Sequence, residues 1–197
     1  MPPIVGTTNA HRKAGPTSRA ARGSSGGIGR RSTPTAEAVS DQLRRGEDPS
    51  LTRRRRTAAL ALAATGSLGV VSLYQVGILK HIPEPPGPFN ADKVDASGEA
   101  YSLFNVPDGL LGMLNSTATA VLATMGTVDR ARTAPWIPLL LAAKVGADTV
   151  SALFLTAEQA TRHREYCAWC LVATVASMAS LPLVIPEARA ALRHLRN

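Results

Sequence analysis

Charged and apolar positions fall into long blocks along this chain instead of alternating at short period. After four consecutive arginines at 53–56, residues 57–79 (TAALALAATGSLGVVSLYQVGIL) run for 23 positions without a formal charge. A helix of that length crosses a bilayer core of about 30 Å at about 1.5 Å per residue. Three further apolar stretches follow at 107–126, 136–156 and 166–185, all four being rich in Gly, Ala, Ser and Thr, which let helices approach closely in a bilayer. A water-exposed bundle would show polar faces recurring every 3.6 residues, whereas 57–79 is apolar or small nearly all round. Asp108, Lys144 and Asp148 interrupt the later stretches and are the argument for a buried helical domain in a soluble protein. The pattern as a whole predicts an all-α, polytopic membrane four-helix bundle over residues 57–190, followed by a short C-terminal tail at 191–197.

Ahead of the first span the pattern is polar. Residues 1–56 carry 12 of the 22 Lys and Arg against 4 acidic residues, with many Gly, Ser, Thr and Pro and few large apolar side chains. Such a segment cannot bury enough apolar area to offset the entropy of ordering it, so a disordered basic tail is expected, with at most a short helix over 35–43. The formal charge of +8 for the whole chain is the charge of this tail, and the remainder is neutral. Nucleic acid is therefore not an expected partner; membrane lipid is. The segment GGIGRR at 26–31 lacks the preceding strand and the Lys-Ser/Thr of a phosphate loop.

Positive charge gathers at cytoplasmic ends of membrane helices. The tail with residues 53–56, then Arg130 and Arg132, then Arg189, Arg193 and Arg196 all fall on one side of a four-span topology. Residues 80–106 carry two lysines against four carboxylates, and residues 157–165 are neutral. The expected location is a multi-pass cell-membrane protein with both termini cytoplasmic.

The two cysteines of the chain, Cys167 and Cys170, lie in EYCAWCLVAT (165–174), at the outer end of the fourth span. At a helix start, free N–H groups and the partial positive charge favour a thiolate, and a lowered thiol pKa is what disulfide exchange needs. Two cysteines are half a zinc site, and His163 alone among the four histidines is near, so no metal is expected. Haem attachment would need histidine where Leu171 stands. The bland alternative is two small residues packed at a helix start.

Four membrane helices, a long outer loop between the first two and a CxxC opening the fourth resemble the vitamin K epoxide reductase family, which includes bacterial quinone-linked thiol oxidoreductases. VSLYQVG at 71–77 is similar to the family's Ser-x-Tyr segment, and VPDGLLG at 106–112 to its Gly-Ile-Pro-x-x-x-x-Gly entry to the second helix. The resemblance covers about residues 57–190. It implies a membrane thiol–disulfide oxidoreductase that couples its CxxC pair to reduction of a quinone of the menaquinone or ubiquinone type. Cys170 is implied to face the quinone and Cys167 to exchange with a thioredoxin-like thiol partner on the outer face. Asp108 and Thr174 stand where animal members place a quinone-binding asparagine and tyrosine, and Trp169 is placed either to shield the disulfide or to wall the quinone pocket. Typical members carry a second cysteine pair in the outer loop; here that region reads DASGEA at 95–100. A non-enzymatic bundle that kept the fold without the redox relay is the alternative.

Lys144 and Asp148, four apart, are expected to pair on one helix face, more as a structural pair than as a proton path. Trp136 and Tyr166 fit interfacial positions, and the proline-rich HIPEPPGPF at 81–89 reads as a stiff cap or partner surface. The topology is tested with reporters: one fused after Asn197 should be active only in the cytoplasm and one inserted near Asp92 only outside. An external C-terminus would invert the placement of the cysteines.

Overall fold

Asp48 and Pro49 start the first long helix earlier than the apolar pattern predicts. The computed structural model describes residues 33–197. A short helix, α1 (Pro34–Arg45), precedes α2 (Pro49–Gln75). The Asp48 side chain accepts a hydrogen bond from Ser50 N at 2.7 Å, and Pro49, with no N–H to leave unpaired, occupies the first turn. The composition boundary at residue 56 therefore falls inside α2, and residues 34–45 and 49–56, expected within a disordered tail, are helical. The helix expected at 35–43 is present as α1. Residues 1–32 of the expected tail lie outside the described residues. The departure has a physical reason in tertiary contact. Arg55 donates to the carbonyls of Gln42, Leu43 and Gly46 at the end of α1, and Gln42 Oε1 accepts from Val128 N at 3.1 Å.

Two short helices, α3 (Ala91–Asp95) and α5 (Arg130–Thr133), and a 3-10 turn (Gly98–Tyr101) lie in the connections between α2, α4 (Asp108–Thr124) and α6 (Trp136–Glu158). A wider turn, Gln159–His163, extends α6, and α7 (Ala168–Arg196) absorbs most of the expected C-terminal tail. Among the described residues three helices are long and apolar enough to cross a membrane: Pro49–Gln75, Trp136–His163 and Ala168–Arg196. The second expected span forms α4, which at 17 residues is about 26 Å long and slightly shorter than a hydrocarbon core.

Successive long helices run antiparallel. Arg54 near the start of α2 meets the end of α4, and Gln75 at the end of α2 meets Asp108 at the start of α4. Thr156 of α6 lies 3.2 Å from Thr174 of α7, and Thr149 Oγ1 donates to Ser177 O farther along. The α2–α4 approach needs small residues: a Cβ on Gly109 would sit 2.7 Å from Gln75 Oε1, and one on Gly112 would sit 2.9 Å from Leu68 Cδ1. Ala58, Ala123, Leu141, Val145 and Val184 form a core between the helices. Leu62, Val150, Phe154 and Val175 are exposed, as a lipid-facing surface requires. Lys144 and Asp148 pair at 2.7 Å as expected, with Thr119 and Asn115 of α4 completing their hydrogen bonds.

At the other end of the bundle, two buried arginines satisfy the carbonyls that α4 leaves unpaired. Arg54 donates to the carbonyls of Ala123, Thr124, Met125, Gly126 and Thr127 at 2.8–3.2 Å. Gly126, at φ +83°, is the left-handed residue that turns those carbonyls toward the guanidinium. Arg130, fully buried, donates to Leu122 O and Met125 O and grips the Glu187 carboxylate of α7 through both forks at 2.8 and 2.6 Å. Arg130→Ala leaves that carboxylate buried and unpaired, so a stability loss of about 3–5 kcal/mol is expected, read as a lower unfolding midpoint in detergent. Glu187→Gln, which retains an acceptor, should cost less. Unchanged midpoints would show that this cluster does not hold the bundle.

Candidate functional site

The cysteines sit where α6 reverses into α7. Arg164, left-handed at φ 56°, ends the α6 extension, and Tyr166 then pairs with the outer loop through Asn90 N→Tyr166 O at 2.9 Å and Tyr166 N→Pro88 O at 3.0 Å. Cys167 is the N-cap of α7, and its sulfur accepts a hydrogen bond from Cys170 N at 3.2 Å.

The proline-rich loop covers the pair, acting as the cap expected of it. Trp169 Nε1 donates to Pro83 O at 2.9 Å. Glu84 spreads its carboxylate over two helix starts, accepting from Ala168 N of α7 and from Ala91 N of α3. Gln159 Oε1 accepts from Cys167 N at 3.1 Å. Cys167 is consequently 0% exposed, while Cys170 is only partly buried.

Asp95, the last residue of α3, stands in the sequence only as the first residue of DASGEA, the outer-loop stretch without cysteine. It is 2% exposed, its Oδ1 lies 3.6 Å from Cys170 Sγ, and its Oδ2 is buried without a hydrogen-bond partner among the described residues. Burial pushes its carboxyl up to about 7; hydrogen bonds from the two thiols pull the other way, and the nearby Asp108 and Glu84 carboxylates add to the rise. One donor atom each from Asp95, Cys167 and Cys170 lies within 4.8 Å of the others. That supplies three donors of the kind zinc takes, one short of a closed tetrahedral set. His163, the histidine weighed for such a role, pairs its Nε2 with Glu99 at 3.4 Å.

Cys170 and Asp95 open onto a cavity of about 360 Å³ among the long helices. Of the residues expected to bind a cofactor, Asp108 and Thr174 line it and Trp169 does not. Asp108 accepts from Gln75 Nε2 at 2.7 Å, and Gln75 Oε1 in turn accepts from Gly109 N, which fixes the start of α4 against the end of α2. Thr174 donates to Cys170 O at 3.1 Å and lies one helical turn deeper. Trp169 is about 100° round the helix from Cys170, which turns its indole to the capping loop. Asn115 and Asp148 line the cavity farther along the bundle, and Leu68, Val71 and Leu155 give it apolar walls.

The sequence model of the vitamin K epoxide reductase family matches residues 56–185, from the arginine end of α2 to within α7. No curated protein and no solved structure matches the chain. The match reaches into all four long helices and includes the capped CxxC and the cavity beside it, and on that ground the chain belongs to the vitamin K epoxide reductase family.

Proposed function

We propose that the protein is a membrane thiol–disulfide oxidoreductase that couples Cys167 and Cys170 to a quinone held in the cavity. The observation that carries this reading is the asymmetry of the pair: Cys170 opens onto the cavity while Cys167 is sealed behind it. The cavity suits a quinone of the menaquinone or ubiquinone type. Its volume is within the range of small-ligand sites, Leu68, Val71 and Leu155 give part of its wall an apolar surface, and Asp108, Thr174 and Asn115 offer convergent polar groups. A bound quinone supplies a two-electron, two-proton acceptor. Cys170 is the sulfur that faces it, and Cys167, whose Sγ accepts from Cys170 N at the start of α7, is the sulfur that exchanges with a thiol partner. The proposed orientation, with both termini cytoplasmic and the cysteines at the outer face, puts the partner, a thioredoxin-like dithiol, in the oxidising compartment.

Because Cys167 is fully covered, the partner reaches it only when residues 81–91 move away. Hydrogen bonds to a charged group contribute about 1.5–3 kcal/mol each. Glu84→Ala should therefore speed labelling of Cys167, in the reduced protein, by a membrane-impermeant maleimide by about 10-fold or more. An unchanged rate would show that Glu84 does not hold the cap closed.

The activity itself is tested by following quinone absorbance with purified protein and a dithiol donor. The intact chain should turn over, and Cys170→Ala should fall to the uncatalysed rate while trapping a mixed disulfide through Cys167. Asp108→Ala and Thr174→Val should raise the quinone concentration needed for half-maximal rate. An intact chain with no turnover and no trapped partner favours the non-enzymatic bundle.

A further inference from the structure

We propose that Asp95 is the proton acceptor of the Cys170 thiol, the acid–base residue through which the cysteine pair gives up and regains its protons. This rests on the thiol–disulfide reading above and adds to it an acid–base residue from outside the CxxC.

The geometry supplies both halves of a proton transfer. Cys170 Sγ donates toward Asp95 Oδ1 at 3.6 Å, within hydrogen-bond reach for sulfur. The second oxygen, Oδ2, is buried with no hydrogen-bond partner among the described residues, a costly arrangement that a role in proton transfer explains. Asp95 also lines the cavity, so a proton taken from sulfur by this carboxyl has an exit toward whatever the cavity holds. The backbone is fixed for the task, because Gln75 Nε2 donates to Asp95 O at 3.2 Å and to the Asp108 carboxylate.

The groups that set its titration come from every side. Cys167 and Cys170 face it from α7, Asp108 from α4 and Glu84 from the capping loop, while Glu99, Glu158 and His163 share the cavity wall. Burial, with the Asp108 and Glu84 carboxylates adding to it, raises the carboxyl to about 7, where a general base works best at neutral pH. A carboxyl raised in this way accepts a proton only once pH approaches that value, so the base is lost as pH falls below it.

The step balances. When the sulfur–sulfur bond forms, two S–H bonds break, and the pair loses two electrons to the quinone-class acceptor and two protons. Asp95 takes the proton of Cys170 as that sulfur becomes a thiolate and passes it toward the cavity; Cys167 releases the other, and the acceptor takes up two protons and two electrons to become a quinol. A dithiol that reduces the disulfide supplies two electrons and two protons, and Asp95, reprotonated at its expense, hands one of them back to Cys170.

Two measurements test this. The first needs no quinone: infrared difference spectra between the dithiol and disulfide forms, set with reduced and oxidised dithiothreitol and recorded across the neutral pH range. The protonated-carboxyl stretch that disappears in Asp95→Asn should titrate at higher pH in the disulfide form, where the Cys170 S–H donor is gone. A stretch that titrates identically in both forms, or none assignable to Asp95, overturns the proposal. The second is single-turnover oxidation of reduced protein by a short-chain quinone. The intact chain should speed up with pH and level off near neutrality. Asp95→Asn should be about 100-fold slower at pH 7 and should keep rising at higher pH, with Asp95→Glu recovering part of the rate. An Asp95→Asn profile that coincides with the intact chain, or lies below it by one factor at every pH, also overturns the assignment. If the intact protein reduces no quinone yet the infrared titration depends on redox state, the quinone reading fails and the assignment of Asp95 stands.

Discussion

The carbonyl oxygens at the end of α4 require donors, and two buried arginines provide them. A guanidinium has five N–H groups in a rigid fork, so one side chain can satisfy a whole helix terminus. Arg54 does this from α2, and Arg130 does it while holding Glu187 of α7. Three long helices thereby share one hydrogen-bonded junction. Its cost is two cations taken out of water, offset by charge-assisted bonds on nearly every available N–H. With the junction closed, α4 has one register against α2. At the opposite end that register brings Gln75 against Asp108 and Gly109, and the cavity has its floor and its mouth.

Within the site, burial is used unevenly. The capping loop closes over Cys167 through backbone pairing, the indole of Trp169 and the Glu84 carboxylate, while Cys170 and Thr174, on one face of α7, are left to the cavity. Cysteines three apart in sequence thus meet different surroundings. In the proposed chemistry this separates the sulfur that meets a protein from the sulfur that meets a small molecule.

Much of this was legible in the residues. A charge-free run of 23 positions admits few folds other than a membrane helix, and the glycines of VPDGLLG stand where a side chain would collide with α2. Thr174, four after Cys170, had to share its face, just as Trp169, one before it, had to leave it. Other features depend on contacts between distant segments. Nothing in RRRR at 53–56 distinguishes Arg54, which enters the bundle, from Arg53 or Arg56, because the choice depends on which face of α2 meets α4. The same contacts turned residues 49–56 from an expected tail into helix. Asp95 had no local signal at all. It is one of several acids in a polar loop, and only the fold of α3 over the α7 start brings it to sulfur.

The two-pronged grip of Glu84 has a mechanical corollary. One carboxylate ties the first amide of α3 to the first amide of α7, so the segment that carries Asp95 and the lid over Cys167 are fastened by the same pin. In the proposed chemistry, withdrawing the pin to admit a thiol partner also frees the segment that carries the acid, and the carboxyl returns its proton to Cys170 as the pin goes back in. Opening to the partner and proton exchange beside the cavity then alternate, which is the behaviour of an airlock.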